Sequence, residues 1–199
     1  MTQQLPDRVR LPFVFDPRLL ARDMESVARF DWIKHFVPQN YEGEWSVLPL
    51  RGKAGARHPV MMIYSDPTAT AFEDTPMLQR CPYFRKVLET FACPLRSVRL
   101  MRLGPGSVIK EHTDLDLSVE GETARIHVPV TTNPGVEFYL NGSRVVLEAG
   151  SAWYLRLSDP HTVRNKSESD RVHMVIDATV NDWLRGLIEA AAREGTTTA

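Results

Sequence analysis

A histidine and an aspartate stand two residues apart in this chain, at His112 and Asp114. In an extended segment, residues i and i+2 point to the same side, so both side chains can reach one metal ion. His161, on a later predicted strand, would complete a set of two histidines and one carboxylate, which is typical of non-haem iron(II) oxygenases. A His-x-Asp pattern by itself also occurs in many surface loops. Of the other histidines, we expect His35 to be structural and His58 to be solvated.

Two Arg-x-His pairs, Arg125 with His127 and Arg171 with His173, fall within predicted strands. The spacing puts both members of a pair on one face of its strand, and one face of every barrel strand points inward. A buried arginine needs an anionic partner, and a dicarboxylate such as 2-oxoglutarate offers two carboxylates for bidentate binding. The alternative is that both pairs face outward as solvated charges, because the pattern leaves the phase of each strand open by one residue.

Short strands separated by turns dominate the second half of the chain. Asn141-Gly142, between two apolar runs, is a strong signal for a two-residue hairpin loop. About eight close-spaced strands predict a barrel or jelly roll, and hence a mainly β fold with flanking helices. The predicted strands are 97–103, 108–112, 125–130, 136–140, 144–147, 151–157, 161–165 and 171–176.

Helical signals are concentrated near the two ends of the chain. Asp16-Pro17 is a helix start that predicts a helix to about residue 30, and Pro82 predicts a second helix through residue 91. Apolar residues on one face predict a C-terminal helix at about 179–194, and 44–50 is a candidate strand. The length fits one domain, 1–199, with a helical or mixed region at 1–95 and a catalytic β-core at about 96–178.

Several spaced motifs occur in a fixed order between residues 99 and 177, and together they are far more specific than any one alone. On these motifs the chain resembles the aspartyl/asparaginyl β-hydroxylase family, which includes bacterial proline hydroxylases. The first ninety-odd residues carry no comparable match. The matching segments are Leu103-Gly104-Pro105-Gly106, His112-Thr113-Asp114, Arg125-Ile126-His127-Val128-Pro129-Val130, Thr132-Asn133-Pro134, Gly150-Ser151-Ala152-Trp153-Tyr154, His161-Thr162-Val163-Arg164-Asn165, Arg171-Val172-His173 and Val175-Ile176-Asp177.

The resemblance implies a double-stranded β-helix, the jelly roll of cupin-like proteins, that uses iron(II), 2-oxoglutarate and oxygen. His112 and His161 match the family's iron histidines, and Arg171 matches the arginine that holds the distal carboxylate of 2-oxoglutarate. Arg125 and His127 match an Arg-x-His pair that helps to hold the co-substrate near the metal.

Two positions distinguish this chain from the animal members of the family. Those enzymes lack a carboxylate at the position of Asp114, whereas the branch that hydroxylates free amino acids has one, so a full triad of His112, Asp114 and His161 is expected here. Met101 stands where a serine can assist the distal carboxylate in the animal enzymes, and methionine cannot do this. His173 is then a candidate partner for that carboxylate.

Arg99 is a candidate substrate contact. If Leu103 and Met101 face inward, alternation along the strand puts Arg99 inward as well, as a further cation in the cavity. An inward arginine without a partner is costly, and a substrate carboxylate is the simplest partner. In the opposite phase Arg102 faces inward instead, and pattern alone favours neither phase.

Bulk composition narrows the possible partners. The formal net charge of -1 gives no electrostatic reason to expect nucleic acid, and no run approaches the roughly 20 apolar residues that span a bilayer. Residues 1–10 are polar, so we expect a cytoplasmic protein without a membrane partner, in which Cys81 and Cys93 are free, partly buried thiols.

The expected function is hydroxylation of an amino acid or amino-acid side chain. The alternatives are a cupin-like protein that binds or senses a metal or small acid without turnover, and a metal-free structural barrel. The sequence does not indicate the oligomeric state.

Overall fold

Two antiparallel β-sheets form the centre of the protein in a computed structural model, which describes residues 5–197. The strands are β1 (Arg8–Val14), β2 (Ile33–Lys34), β3 (Tyr41–Glu42), β4 (Trp45–Lys53), β5 (Phe72–Asp74), β6 (Leu95–Leu103), β7 (Val108–His112), β8 (Thr123–Thr131), β9 (Val136–Leu140), β10 (Ser143–Val145), β11 (Ser151–Leu155), β12 (His161–Asn165) and β13 (Arg171–Thr179). The larger sheet has the order β1-β11-β8-β13-β6-β4-β2, with β5 also paired to β4, and the smaller has the order β10-β9-β12-β7-β3.

Helices α1 (Pro17–Val27), α3 (Pro76–Gln79), α4 (Pro82–Glu89) and α5 (Asp182–Thr197) cover the outer face of the larger sheet. The short helix α2 (Pro59–Ile63) packs beside β4 instead, and its Ile63 is buried with residues of the inner face. Leu20 of α1, Phe84 of α4 and Ile188 of α5 are buried in one hydrophobic cluster with Ile126 and Met174 of the sheet. No helix among the described residues is both long and apolar enough to cross a membrane.

Alternation along the strands gives the larger sheet an apolar outer face, whereas its inner face carries buried charged and polar side chains beside apolar ones. In β13, Met174 and Ile176 join the cluster under the helices, so Arg171, His173 and Asp177 lie on the opposite face, toward the smaller sheet. A second cluster, which includes Val175 and residues of the smaller sheet, packs the two sheets together. The inner face is therefore buried between the sheets.

The predicted strands and helices agree with the structure in kind and closely in their limits. Asp16 caps α1, its carboxylate accepting a hydrogen bond from the Arg18 backbone N–H at 2.8 Å. Asn141 and Gly142 both have positive φ, as the two-residue hairpin between β9 and β10 requires. Cys81 and Cys93 are free thiols, as predicted, and burial raises the pKa of each to about 11.

The larger sheet extends further toward the N-terminus than the predicted core of 96–178. It also contains β1, β2, β4 and β5. The sequence indicated β4 through the candidate strand 44–50, but it did not indicate β1, which contains Pro12. An edge strand tolerates proline, and β1 lies at the edge of the sheet, where its pairing with β11 shifts register between Arg10 and Val14.

Candidate functional site

A cavity of about 460 Å³ opens between the two sheets, and most of the side chains singled out in the sequence line it. Its walls include strands of both sheets and the loop that follows β7. The side chains singled out in the sequence that line the cavity are Arg99, His112, Asp114, Arg125, His127, His161 and Arg171. His173 does not line this cavity; it lies behind Arg171 and borders a second, smaller one.

His112, Asp114 and His161 form a compact cluster that could hold a metal ion. His112 ends β7 and pairs directly with His161 at the start of β12, so backbone pairing brings the two rings together. One ligand atom from each of the three residues can be chosen so that all lie within 4.8 Å of one another. Alternation and strand pairing therefore bring together the three residues predicted from the sequence.

The two histidines of this cluster present the correct nitrogen for a metal. The Nδ1 of His112 lies 2.8 Å from the Lys110 carbonyl oxygen, and the Nδ1 of His161 lies 3.0 Å from the Asp159 carbonyl oxygen. Because a carbonyl only accepts hydrogen bonds, Nδ1 carries the proton in each ring and Nε2 keeps its lone pair. Burial lowers the pKa of His161 to about 4, so this ring is neutral at physiological pH.

Asp114 is shared between the cluster and an arginine. Its Oδ1 lies 3.7 Å from the Nε2 of His112, while its Oδ2 accepts a hydrogen bond from the Nη1 of Arg125 at 2.6 Å. Its backbone N–H donates to the Leu157 carbonyl at 2.8 Å, which fixes the start of the following loop. One carboxylate oxygen thus faces the histidines and the other is already bound.

Arg171 is a buried cation with no carboxylate partner among the described residues. Its side chain is almost fully enclosed, its Nη2 donates to the Nδ1 of His173 at 2.7 Å, and its Nε has no partner in the described part of the chain. Burial lowers the pKa of this guanidinium to about 9, which reflects the cost of an unpaired buried charge. The site therefore lacks an anion, and the carboxylate of a bound diacid would supply one.

His127 and His173 are coupled to Arg171 through their ring nitrogens. The two Nδ1 atoms lie 3.2 Å apart. Since Arg171 can only donate, the Nδ1 of His173 must accept, and His127 then donates from its own Nδ1. Burial, with the nearby charge of Arg171, lowers both pKa values well below the usual 6.5, so both rings are neutral. The remaining Nε2 atoms have no partner among the described residues.

Asp177 is the anionic centre of the inner face, and the sequence indicated it only as the last residue of a motif. It is fully buried and accepts from Nε and Nη2 of Arg125 at 2.6 and 3.0 Å. It also accepts from Nη2 of Arg99 and from the Oγ of Ser65, the latter at 2.7 Å. Burial alone raises the pKa of Asp177, but the charges of Arg125 and Arg99 outweigh that effect and hold it well below its usual value.

Arg99 faces inward and lines the cavity, which is the phase that its substrate role requires. Arg102 lies on the other face, where its guanidinium stacks 4.7 Å from the ring of Trp32 and donates to Ser46. The premise that Arg99 lacks a partner was wrong, because Asp177 in the same chain supplies the carboxylate. Its Nε alone has no partner within the described residues.

The N-terminal region supplies an aromatic wall that the sequence did not indicate. His35, expected to be structural, stacks on Trp45 with ring centroids 3.5 Å apart, and both line the cavity together with Phe36 and Tyr64. His58 is exposed, as predicted. The loop after Asp114 contributes residues 115–117 to the cavity wall.

Two sheets enclosing a His-Asp-His cluster define a double-stranded β-helix, and the cluster is one that could hold a metal ion. The model of the aspartyl/asparaginyl beta-hydroxylase family matches residues 18–180, so the chain belongs to that family. This confirms the resemblance drawn from the motifs, and it extends the match to residues before 99.

Two curated relatives and two solved structures are informative. L-proline cis-4-hydroxylase from Rhizobium meliloti (strain 1021) is 27% identical over 165 residues, 82% of this chain and 57% of its own length. L-proline cis-3-hydroxylase 1 from Streptomyces sp. is 23% identical over 167 residues, 81% of this chain and 56% of its own. The chain thus spans just over half the length of both relatives.

Among solved structures, an oxidoreductase of the 2OG-Fe(II) oxygenase family from Burkholderia pseudomallei has a TM-score of 0.54 at 17% identity, covering 88% of this chain and 86% of that one. HygX from Streptomyces hygroscopicus, with nickel and 2-oxoglutarate bound, has a TM-score of 0.53 at 15% identity, covering 88% and 84%. At these identities the likeness shows the shared fold, which is the predicted one.

Proposed function

We propose that this protein is an iron(II) and 2-oxoglutarate-dependent dioxygenase that hydroxylates an amino acid or an amino-acid side chain. One observation carries the proposal: the His-Asp-His cluster shares a cavity with Arg171, a buried cation that lacks an acid partner among the described residues. A metal-ligand set and a carboxylate receptor in one enclosed space are what a co-substrate with a keto acid at one end and a carboxylate at the other requires.

The residues present fit iron and its co-substrate. His112 and His161 would bind iron through Nε2, and Asp114 would bind it through Oδ1. Iron(II) with 2-oxoglutarate and oxygen supplies the oxidant that hydroxylates an unactivated carbon, with succinate and carbon dioxide as co-products. Arg171 would bind the distal carboxylate through its planar fork, and His173 would orient that fork from behind.

His127 and Arg125 lie between the two ends of the co-substrate site. His127 lines the cavity, and its buried Nε2 has no partner in the described chain, so a polar group of a bound molecule would satisfy it. Arg125 donates to Asp114 and Asp177 through three different N–H groups and can reach a co-substrate only with those that remain. Their role in holding the co-substrate remains a proposal.

The substrate is proposed to be an amino acid or a derivative of one. Two relatives are named as L-proline hydroxylases. The aromatic wall of His35, Phe36, Trp45 and Tyr64 suits an apolar side chain or ring, and Arg99 remains a candidate for the substrate carboxylate through its Nε. We also propose a single domain, because β4 pairs with β6 and β1 with β11 across the predicted boundary at 96. Cytoplasmic location and the absence of nucleic-acid or membrane partners stay predictions from the sequence.

Turnover tests the proposal. Purified protein is incubated with Fe²⁺, ascorbate, 2-oxoglutarate and a panel of free amino acids, amidated amino acids and short peptides, and succinate is measured together with the gain of one oxygen atom by the substrate. We expect succinate formation that depends on one class of substrate. Metal and 2-oxoglutarate binding without succinate from any substrate would instead support the cupin-like binding protein.

The variant Asp114→Ala tests the proposed metal site. Loss of the negative ligand should weaken iron binding and abolish coupled turnover, because the triad loses one of its three positions. Iron content is measured by metal analysis and turnover by succinate release. Normal iron occupancy with full activity would exclude Asp114 from the metal site.

A further inference from the structure

Arg125 joins two carboxylates that lie on different elements. Its Nε and Nη2 form a bidentate pair with Asp177 of β13, at 2.6 and 3.0 Å. Its Nη1 donates to Oδ2 of Asp114, in the loop after β7, at 2.6 Å. The guanidinium is more than nine-tenths buried and Asp177 is fully buried, so the pair between them is shielded from solvent, whereas the Asp114 side chain is 29% exposed. The position of the candidate metal carboxylate is therefore tied to a charge in the interior of the larger sheet.

The contact with Arg125 decides which oxygen of Asp114 is available. Because Oδ2 is held by Nη1, only Oδ1 faces the Nε2 of His112, at 3.7 Å. A carboxylate fixed in this way offers a metal one oxygen rather than two. Outer groups that bind a metal ligand in this manner set its orientation and its affinity for the metal.

The four charges of this group also balance. Arg99 and Arg125 carry two positive charges, and Asp114 and Asp177 carry two negative charges, so their sum is zero. Without Asp177, two guanidinium groups would face a single carboxylate beside the metal position. A surplus positive charge there would oppose the entry of a divalent cation.

We propose that Asp177 is a positioning residue for the metal site: it anchors Arg125, which presents Asp114 through one oxygen, and it cancels the charge that would otherwise repel the metal. This inference rests on the proposed function, since it concerns the same metal site. Ser65 completes the anchor by donating to Asp177 at 2.7 Å, so the carboxylate has four donors from three side chains.

Metal binding without turnover tests the idea. Metal-free protein is titrated with Co²⁺ by calorimetry, and visible absorption reports the coordination of the bound ion, in the absence of 2-oxoglutarate and substrate. We expect Asp177→Asn to bind Co²⁺ about 10–100-fold more weakly than the unsubstituted protein, the range typical of lost outer-shell partners.

Variants that remove one charge of either sign from this group distinguish the positioning role from support of the fold. Arg99→Gln leaves the group with one surplus negative charge, so it should bind Co²⁺ more tightly, on the order of tenfold. The double variant Arg99→Gln with Asp177→Asn restores neutrality and should recover most of the lost affinity. If both single variants weaken binding, if neither changes it, or if the double variant is worse than Asp177→Asn, the proposal is wrong. Should Asp177→Asn fail to fold, the direction of the Arg99→Gln effect decides.

Asp23→Asn is the matched control for loss of a buried carboxylate. Asp23 is equally enclosed, but it accepts hydrogen bonds from the backbone of Tyr83 and Phe84 at the start of α4, under the outer face of the sheet. The Asp23→Asn variant should lower the thermal stability of the protein without changing its affinity for Co²⁺. His161→Ala should abolish one-to-one binding. If the unsubstituted protein itself binds no Co²⁺ at a His161-dependent site, the proposed function fails; if it binds and the variants at Asp177 and Arg99 do not differ from it, only the positioning role fails.

Discussion

At the scale of single residues, the hydrogen bond at one ring nitrogen decides what the other nitrogen can do in each of four histidines in or behind the cavity. Backbone carbonyls take the Nδ1 protons of His112 and His161 and leave Nε2 free for a metal. Arg171 instead donates to the Nδ1 of His173, which must therefore accept from the Nδ1 of His127, so the Nε2 of His127 is left as an acceptor. Two histidines can thus act as metal ligands through Nε2, and two act as hydrogen-bonding groups.

Arg171 should be the main determinant of affinity for 2-oxoglutarate. Arg171→Ala removes a buried charge-assisted pair with the distal carboxylate, which is worth about 2–5 kcal/mol. Arg171→Lys should rescue only part of this, because an ammonium group cannot reproduce the planar fork. Binding is measured by calorimetry with the metal-loaded protein. Unchanged 2-oxoglutarate affinity in Arg171→Ala, with the fold intact by circular dichroism, would place the co-substrate elsewhere.

Arg99 and Arg102 are a matched pair on opposite faces of β6. If the Nε of Arg99 binds the substrate carboxylate, Arg99→Gln should raise KM for the amino acid about tenfold or more at saturating 2-oxoglutarate and metal, as expected for a lost hydrogen bond to a charged group. Arg102→Gln should have little effect, because this side chain contacts Trp32 and Ser46 instead. Equal KM values for the two variants would remove Arg99 from the substrate site.

Much of the candidate site could be predicted because its residues follow simple spacing. The i, i+2 pairs fixed which side chains share a strand face, and ordered motifs related distant strands to one another. Asp177 could not be recognised as a partner of Arg99, because their contact depends on the register between β6 and β13. The cavity position of His35 was likewise not predictable, since it depends on how an irregular segment packs against Trp45.

At the scale of elements, alternation and turn chemistry account for the correct strand predictions. β7, β9 and β12 have the limits that the sequence predicted, and each is a run between clear turn signals. The errors lie where tertiary pairing overrides local pattern. β1 carries a proline and still forms a strand, because pairing with β11 at the sheet edge needs only part of its backbone N–H groups.

Among the described glycines, Gly150 is the one at which an added Cβ would come closest to another atom. It has φ +81°, and a Cβ there would lie 2.2 Å from the carbonyl oxygen of Phe15, at the junction of β1 and β11. Gly150→Ala should therefore lower the free energy of unfolding by more than the roughly 1–3 kcal/mol of backbone strain alone. Gly142→Ala is the control, because Gly142 has φ +70° with open space around its Cβ position.

The difference between the two alanine variants isolates the steric contact between β1 and β11. It is measured by urea unfolding under identical conditions. Equal losses of stability would mean that the Phe15 segment moves away freely, and that β1 is only loosely attached to the sheet. A larger loss in Gly150→Ala would show that the β1 edge unfolds together with the core.

At the scale of the whole molecule, the cavity depends on both halves of the chain. The second half supplies the His-Asp-His cluster and the arginines. The first half supplies the aromatic wall and β4, which pairs with β6 along most of its length. Family motifs in the sequence indicated only the second half. The residues of the His-Asp-His cluster and the inward arginines were therefore easier to predict than the aromatic wall, which depends on the more irregular N-terminal region.

Stability of the whole molecule should depend on acid through Asp177. Burial alone would raise the pKa of this carboxyl, but Arg125 and Arg99 hold it well below its unfolded value of about 3.9. A carboxyl whose pKa is depressed by folding stabilises the protein above its unfolded pKa, and that contribution is lost as the pH falls toward the folded pKa. The free energy of unfolding should therefore decrease steadily on acidification below about pH 5. In Asp177→Asn the free energy of unfolding should be lower at neutral pH and depend less on pH, because asparagine does not titrate.

Asp170→Asn is the control for this acid dependence. The Asp170 carboxylate is half exposed and lies 3.9 Å from Arg102, an arrangement that contributes little to stability. Urea unfolding at a series of pH values gives the slopes; an Asp177→Asn slope as steep as that of the unsubstituted protein would assign acid sensitivity to other carboxylates.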